Sequence, residues 1–338
     1  MTGARPRHAG LDALRGLLMV AVIIGHFPSS ASGSNPFGPL PDWLYYFHVP
    51  LFLALSCLFV APISLALAGQ RCRQLLIPYA FWLVLSEPSW LLHPGSLASA
   101  LAMGNWAHLH SVLWFLPALF SANLLLAGWS RSGAHLRAAL ILLAVAAFLG
   151  APRLALLHDR IPFGLDLAFY LLPFLLGLRA LWRGREALAR VMGRWLTVAA
   201  LAALPLGTWL IRTWEPFKTH SAFARRIDLA QFSVPETVAG YLGMTLLAAG
   251  LLVLACQLPA PRWLAAVGRA SLPIYLLHYP LLHALSPSIG LAGEARAALL
   301  GYGIAVTAGL IGFIMAASAG LNRLSGKFAW IGLSAPRA

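Results

Sequence analysis

The chain has 338 residues, of which 60% are hydrophobic and only 10% are charged, and its mean hydropathy is +0.78. A soluble domain of this length does not carry so much apolar sequence, so the composition favours a membrane protein over a soluble one. The net charge of +14 does not indicate nucleic-acid binding, because the basic residues fall between apolar runs and form no single basic stripe.

Ten apolar stretches each approach the roughly 20 residues that a membrane-spanning helix needs. We therefore predict an all-α, polytopic membrane protein with a single membrane-embedded domain over residues 1–338. The predicted helices cover residues 11–28, 48–68, 75–92, 111–129, 137–157, 165–183, 194–212, 236–256, 270–291 and 296–319. Connections rich in Pro, Gly and Ser, such as residues 29–41, separate some of these helices.

The distribution of Lys and Arg predicts how these helices lie in the membrane. If the N-terminus is cytoplasmic, 17 of the 24 Lys and Arg residues fall on the inner side and seven on the outer side. Cytoplasmic loops of membrane proteins carry such an excess of positive charge. We therefore expect both termini in the cytoplasm and a multi-pass protein in the bacterial inner membrane, in contact with membrane lipid.

The first predicted helix carries Arg15 and His26, two ionisable groups that are expensive inside a membrane. Eleven steps of about 1.5 Å put them roughly 16 Å apart along the helix axis, and on nearly one face because eleven residues make about three turns. Such a pair suits an extended donor molecule that keeps its phosphates inside while its reactive end reaches outward. Alternatively, Arg15 extends to the inner interface and His26 only hydrogen-bonds a neighbouring helix.

Five short motifs along the chain resemble those of one membrane-protein family and occur in the same order. They are Asp12–Gly16 with His26, then Tyr46–Ser56, Arg71–Tyr79, Leu113–Phe120 and Gly268–Leu281. They are similar to the motifs of the acyltransferase-3 family, and the match extends from residue 11 to about residue 281. One position departs from the family pattern, since Cys57 stands where a glycine is usual after Ser56.

The resemblance implies a membrane-bound O-acyltransferase that moves an acetyl or other short acyl group from cytoplasmic acetyl-CoA or another acyl-CoA. The implied acceptor is a hydroxyl of a carbohydrate or glycan, in a surface or exported polysaccharide, so other polysaccharide-biosynthesis proteins are candidate partners. By the same analogy His26 and Arg15 are catalytic, while Arg71, Arg73 and Tyr79 bind the donor. For the two arginines of the inner loop, ordinary positive-inside bias is the alternative.

The chemistry of acyl transfer supports these roles separately. An alcohol is a poor nucleophile near neutral pH, and the imidazole of His26 suits taking its proton and then giving one to the departing thiolate. Covalent transfer through His26 is the alternative. The CoA phosphates are anions that Arg71 and Arg73 can bind through charge-assisted hydrogen bonds.

Further polar side chains fall at outer or middle depth in the predicted helices. A carboxylate next to the catalytic imidazole would hold its tautomer, and we predict Glu87 for this role because it lies in an otherwise apolar span. Four residues are predicted to contact the acceptor: His48, Trp114, Asp166 and His278. Their alternative roles are hydrogen bonds between helices and, for Trp114, an interfacial aromatic belt.

No metal is expected, because the cysteines and histidines form no set with metal-ligand spacing. The competing function is a secondary transporter or flippase for a glycolipid or sugar derivative, since ten helices with buried polar residues fit that class too. Transporters often contain inverted repeats, and the sequence shows no such pairing. The sequence therefore favours the enzyme.

Overall fold

The computed structural model describes residues 8–27, 35–45, 47–86, 92–103, 111–150, 162–212, 234–285, 296–324 and 331–333. Most of these residues are helical and none of them forms a β-strand, which confirms the all-α prediction. The helices are α1 (Ala9–Gly25), α2 (Leu40–Tyr45), α3 (His48–Cys57), α4 (Leu65–Arg71), α5 (Ile77–Ser86), α6 (Pro94–Met103), α7 (Phe115–Arg131), α8 (Ala134–Gly150), α9 (Leu165–Tyr170), α10 (Leu172–Met192), α11 (Arg194–Arg212), α12 (Val234–Gln257), α13 (Arg262–Arg269), α14 (Ser271–Leu285) and α15 (Arg296–Leu324).

Helix α1 lies at the centre of the bundle. It contains no proline, and its side chains are apolar around most of its circumference, so it can be buried on several sides at once. Leu18, Met19 and Ile23 are 0% exposed. The neighbours of α1 include α3, α12, α13 and α14, which places every functional group on α1 among several helices.

Two glycines allow α1 and the short helix α13 to pack with their backbones in contact. A Cβ atom on Gly16 would lie 2.0 Å from the Leu264 carbonyl oxygen, and one on Gly268 would lie 1.8 Å from the Asp12 carbonyl oxygen. Small residues in membrane helices often permit such close approach. The contact fixes the first half of α1, which carries Arg15.

Gly268→Ala is therefore expected to destabilise the protein by about 1–3 kcal/mol or more, since the added Cβ meets rigid backbone. The melting temperature of the detergent-purified protein measures this loss. Gly309→Ala is the matched control, because a Cβ on Gly309 in α15 meets nothing within 4 Å. The control should melt at or above the wild-type temperature, since Ala favours a helix more than Gly does. Equal melting temperatures for the two variants would contradict the close contact.

Among the described residues, four helical segments are long and apolar enough to cross a membrane: Val112–Arg131, Arg194–Ile211, Val238–Gln257 and Ala298–Leu321. Large apolar side chains are exposed on the outer helices, for example Leu142 on α8, Val198 on α11 and Phe313 on α15. Exposed apolar surface of this extent is expected where a protein faces lipid. The total of ten spans and the cytoplasmic position of both termini stay predictions.

The region predicted as one helix over residues 48–68 is divided in the structure. Helix α3 ends at Cys57, residues 58–64 are not helical, and α4 begins at Leu65. Pro62 explains the break, because proline lacks a backbone donor and disfavours helix in the residue before it. The Ser64 side chain then caps α4 by accepting a hydrogen bond of 3.1 Å from the Leu67 backbone N–H.

Candidate active site

Helices α1 and α3 pack side by side in opposite directions, so each end of the pair combines residues from both helices. At one end, the Tyr45 hydroxyl just before α3 donates to the Gly25 carbonyl at a distance of 2.8 Å. At the other end, Nη2 of Arg15 donates to the Leu55 carbonyl at 3.1 Å. The end near Gly25 carries histidines, and the end near Leu55 carries arginines. We refer to them as the histidine end and the arginine end.

His26 follows the last residue of α1 directly and is half-buried. Its Nδ1 lies 2.8 Å from the Val22 carbonyl oxygen. Because a carbonyl oxygen only accepts hydrogen bonds, we assign the ring proton to Nδ1. This tautomer makes Nε2 the basic nitrogen of the neutral imidazole.

His278 on α14 contacts His26 from across the bundle and is 0% exposed. Its Nδ1 lies 2.6 Å from the Tyr275 carbonyl oxygen, so we assign this ring the same tautomer. Its Nε2 is then an acceptor, and it lies 3.4 Å from Nδ1 of His26. His278 therefore offers a lone pair toward the proton on His26 Nδ1, at a position where it can stabilise an imidazolium ring.

Two tyrosines and a third histidine surround this pair. The His26 ring packs edge-on against Tyr45 and Tyr279, with centroid distances of 6.3 and 5.7 Å. His48 is buried next to Tyr45, at 4.9 Å between ring centroids, and its Nδ1 lies 2.6 Å from the Leu44 carbonyl oxygen. We refer to these five side chains as the histidine cluster: His26, Tyr45, His48, His278 and Tyr279.

Of the predicted site residues, His26, His48 and His278 thus lie in one cluster although they are far apart in sequence. Trp114 approaches the cluster through a series of rings. Its ring lies 5.9 Å from that of Phe115, which lies 5.6 Å from the ring of Tyr275. The Tyr275 ring in turn lies 5.8 Å from that of His278.

Two predicted residues have side chains that the structure does not describe. Glu87, predicted to be the carboxylate next to the catalytic imidazole, lies outside the described residues. Asp166 lies in α9, and only its backbone belongs to the described part. Their roles stay predictions. In the described part of the chain, Nδ1 of His26 lies against the Val22 carbonyl and His278.

Tyr45 and Tyr279 are not among the site residues that the sequence predicts. Tyr279 lies inside the fifth motif, and Tyr45 directly precedes the second, so proximity to the motifs is the signal that could have identified them. The hydrogen bond from Tyr45 satisfies a carbonyl in the last turn of α1, where helical partners are absent. Tyr45 therefore holds the helix end that carries His26.

At the arginine end, Arg15 forms an ion pair with Asp12 one turn earlier, with 3.2 Å between Nη1 and Oδ1. Together with the bond to Leu55, this pair holds a side chain that is 25% exposed. The predicted arrangement of Arg15 and His26 agrees with the structure in one respect: a continuous helix joins them. The rise of roughly 16 Å between them follows from that helix.

The three predicted donor-binding residues lie in different surroundings. Arg71 is half-buried, and burial lowers the pKa of its guanidinium. The Cys57 thiol has the opposite, smaller effect on this pKa. The guanidinium stays charged at neutral pH because its ordinary pKa is far above neutral. Arg73 is exposed, and its Nε donates to the Gly69 carbonyl at 3.3 Å. Tyr79 is buried, and its hydroxyl donates to the Ala100 carbonyl at 2.7 Å.

A model of the family described as an acyltransferase domain matches residues 8–320 of the chain. The chain is 31% identical over 147 residues to nodulation protein NolL of Sinorhizobium fredii, a match that covers 38% of this chain and 40% of that protein. It is 28% identical over 135 residues to nodulation protein NolL of Mesorhizobium japonicum, covering 37% and 36% of the two chains. The chain thus matches less than half the length of these curated relatives.

No solved structure matches the chain. The family match, by contrast, includes all five motifs noted in the sequence and both ends of the α1–α3 pair. It also includes the described helices that build the histidine cluster. The chain belongs to the acyltransferase-3 family.

Proposed function

We propose that this protein is a membrane-bound O-acyltransferase that moves an acetyl or other short acyl group from cytoplasmic acyl-CoA to a carbohydrate hydroxyl across the bilayer. Membership of the family supports acyltransferase activity. The observation that carries the proposal is the distance of 2.8 Å from His26 Nδ1 to the Val22 carbonyl oxygen. This contact assigns the ring proton to Nδ1 and makes Nε2 the basic nitrogen. A base in this state can activate an alcohol.

The reaction follows from this protonation state. Nε2 of His26 takes the proton of the acceptor hydroxyl while the oxygen attacks the thioester carbonyl carbon, forming the new C–O bond. The tetrahedral intermediate collapses by breaking the C–S bond, and the imidazolium returns its proton to the leaving thiolate. The products are the ester and CoA with a free thiol. The Val22 carbonyl and the His278 lone pair stabilise the imidazolium between the two steps.

The separation of the two ends supports an acyl-CoA donor. Arg15 lies roughly 16 Å from His26 along α1, and Arg71 carries a permanent positive charge in the predicted inner loop. A thioester at the end of a long pantetheine arm can reach the histidine cluster while its phosphates stay near the arginines. The proposal assigns the donor to the arginine end and the acceptor to the histidine end.

Aromatic side chains support a carbohydrate as the acceptor. Tyrosine and tryptophan combine an apolar ring with a polar group, which suits sugars that have apolar ring faces and many hydroxyls. Tyr45 and Tyr279 pack against the His26 ring, and Trp114 connects to the cluster through two further aromatic rings. An acceptor in a surface or exported polysaccharide agrees with the predicted outer position of His26.

Mass spectrometry of cell-surface glycans tests this proposal. A deletion strain is expected to lose acyl groups from one sugar, and the wild-type gene should restore them. The mass that disappears identifies the acyl group, and the modified sugar identifies the acceptor. Glycans with unchanged acylation but a lower amount of exported material would contradict the proposal, and would indicate transport of a finished glycan instead.

A further inference from the structure

A buried arginine on α10 has donors that no other described residue satisfies. Arg179 is 6% exposed, and its Nη2 donates to the Val60 carbonyl at 2.8 Å. Its Nε and Nη1 are buried and have no hydrogen-bond partner in the described part of the chain. Buried donors of a charged group that have no acceptor cost folding free energy. A bound ligand can supply the acceptor that Arg179 lacks.

Arg71 is a second arginine near the end of α3. Both guanidinium groups interact electrostatically with the buried Cys57, the last residue of that helix. Nε of Arg71 is also buried without a partner among the described residues, while its Nη1 donates to Oε1 of Gln74 at 3.0 Å. Each of these two guanidinium groups, on separate helices, therefore has a buried N–H without a partner in the described part of the chain.

Neither Arg71 nor Arg179 has an ion-pair partner in the described part of the chain. Ion pairs within the described ranges join Arg15 to Asp12 and Arg185 to Glu186, and neither of them includes Arg71 or Arg179. Arg183, one turn beyond Arg179 on α10, adds a further positive charge. Like charges gathered in partly desolvated surroundings favour a multivalent anion.

We propose that the end of α3 holds a phosphate-binding subsite, that Arg179 supplies its N–H donors, and that a phosphate group of the acyl-CoA donor occupies it. This inference rests on the proposed function for the nature of the donor. Phosphate oxygens are negatively charged hydrogen-bond acceptors, and the unsatisfied N–H groups need such acceptors. The subsite lies near the end of α3 that also contacts Arg15, and therefore at the arginine end of the α1–α3 pair.

Binding of CoA to the purified full-length protein in nanodiscs tests the subsite. Arg179→Gln should weaken CoA binding by about tenfold to a hundredfold, as expected when hydrogen bonds to a charged group are lost. Binding of acetyl-pantetheine, which has the thioester but no phosphate, should not change. Arg185→Gln is the matched control, because Arg185 lies on the same helix, pairs with Glu186 and should keep wild-type CoA affinity.

Gel filtration and melting temperature show whether each variant folds. Arg179→Lys keeps the charge but not the guanidinium donors, and it carries the test if Arg179→Gln does not fold. Wild-type affinity for CoA in a folded Arg179 variant would overturn the subsite while leaving the proposed function intact. Failure of the wild-type protein to bind any acyl-CoA would instead overturn the proposed function and the donor assignment with it.

A lipid phosphate is the other source of the same chemistry. Native mass spectrometry distinguishes the two, because it counts phospholipids that stay bound to the wild-type and Arg179→Gln proteins. Equal lipid retention with weakened CoA binding supports the donor. Loss of a bound phospholipid with unchanged CoA affinity would assign the subsite to a headgroup and overturn the proposal.

Discussion

Replacing His26 by Gln is expected to reduce acyl transfer by about 10²- to 10⁴-fold, the range that a positioned general base contributes. Glutamine can still accept and donate hydrogen bonds, but it cannot take a proton from an alcohol at neutral pH. His26 is half-buried at the end of α1, so the substitution opens no large cavity. Acyl groups on the acceptor glycan, measured against the amount of protein in the membrane, give the activity.

The controls for His26 separate chemistry from folding. His135→Gln changes an exposed histidine on α8 and should leave transfer unchanged. The His26 variant should still bind CoA, because the proposed donor contacts lie at the arginine end. Undiminished acylation by a His26→Gln or His26→Ala protein would exclude His26 as the base.

Substitution of His278 is expected to have the second largest effect. His278→Ala removes the acceptor that lies 3.4 Å from His26 Nδ1, so the imidazolium loses a stabilising partner. Loss of such a hydrogen bond to a charged group should lower kcat by about tenfold to a hundredfold. The KM for acetyl-CoA should change little, because the donor phosphates are proposed to bind at the other end of α1.

His278→Gln distinguishes positioning from packing. Its amide oxygen can reach about the place of the His278 Nε2 and accept the same hydrogen bond, so this variant should retain more activity than His278→Ala. Both variants alter a fully buried site on α14 and should lose some stability. Equal activity of the two variants, or a change in KM alone, would show that His278 does not position His26.

The sequence predicts the features that depend on local pattern. Arg15 and His26 do lie on one continuous helical stretch, because a run of apolar residues without proline favours a helix. The all-α architecture follows from composition for the same reason. The helix predicted through residue 68 ends earlier, since Pro62 interrupts a stretch whose hydropathy alone favours continuation.

The contacts of the site are less accessible to sequence reasoning, because they join distant segments. The pair His26 and His278 is 252 residues apart, and no spacing rule relates the two. Arg179 resembles any other positive charge on the predicted inner side until its burial and its unsatisfied donors are known. Burial and hydrogen-bond satisfaction are properties of packing, which a periodic pattern does not specify.

Transfer of label across sealed membranes tests the central claim most directly. Inverted vesicles from cells that produce the protein receive CoA with a labelled acetyl group from outside, which is the cytoplasmic face, and the label in luminal carbohydrate is counted. We predict labelled carbohydrate inside vesicles with the wild-type protein and almost none with His26→Gln. Equal label in both, or label confined to the outside, would contradict acyl transfer across the membrane by this site.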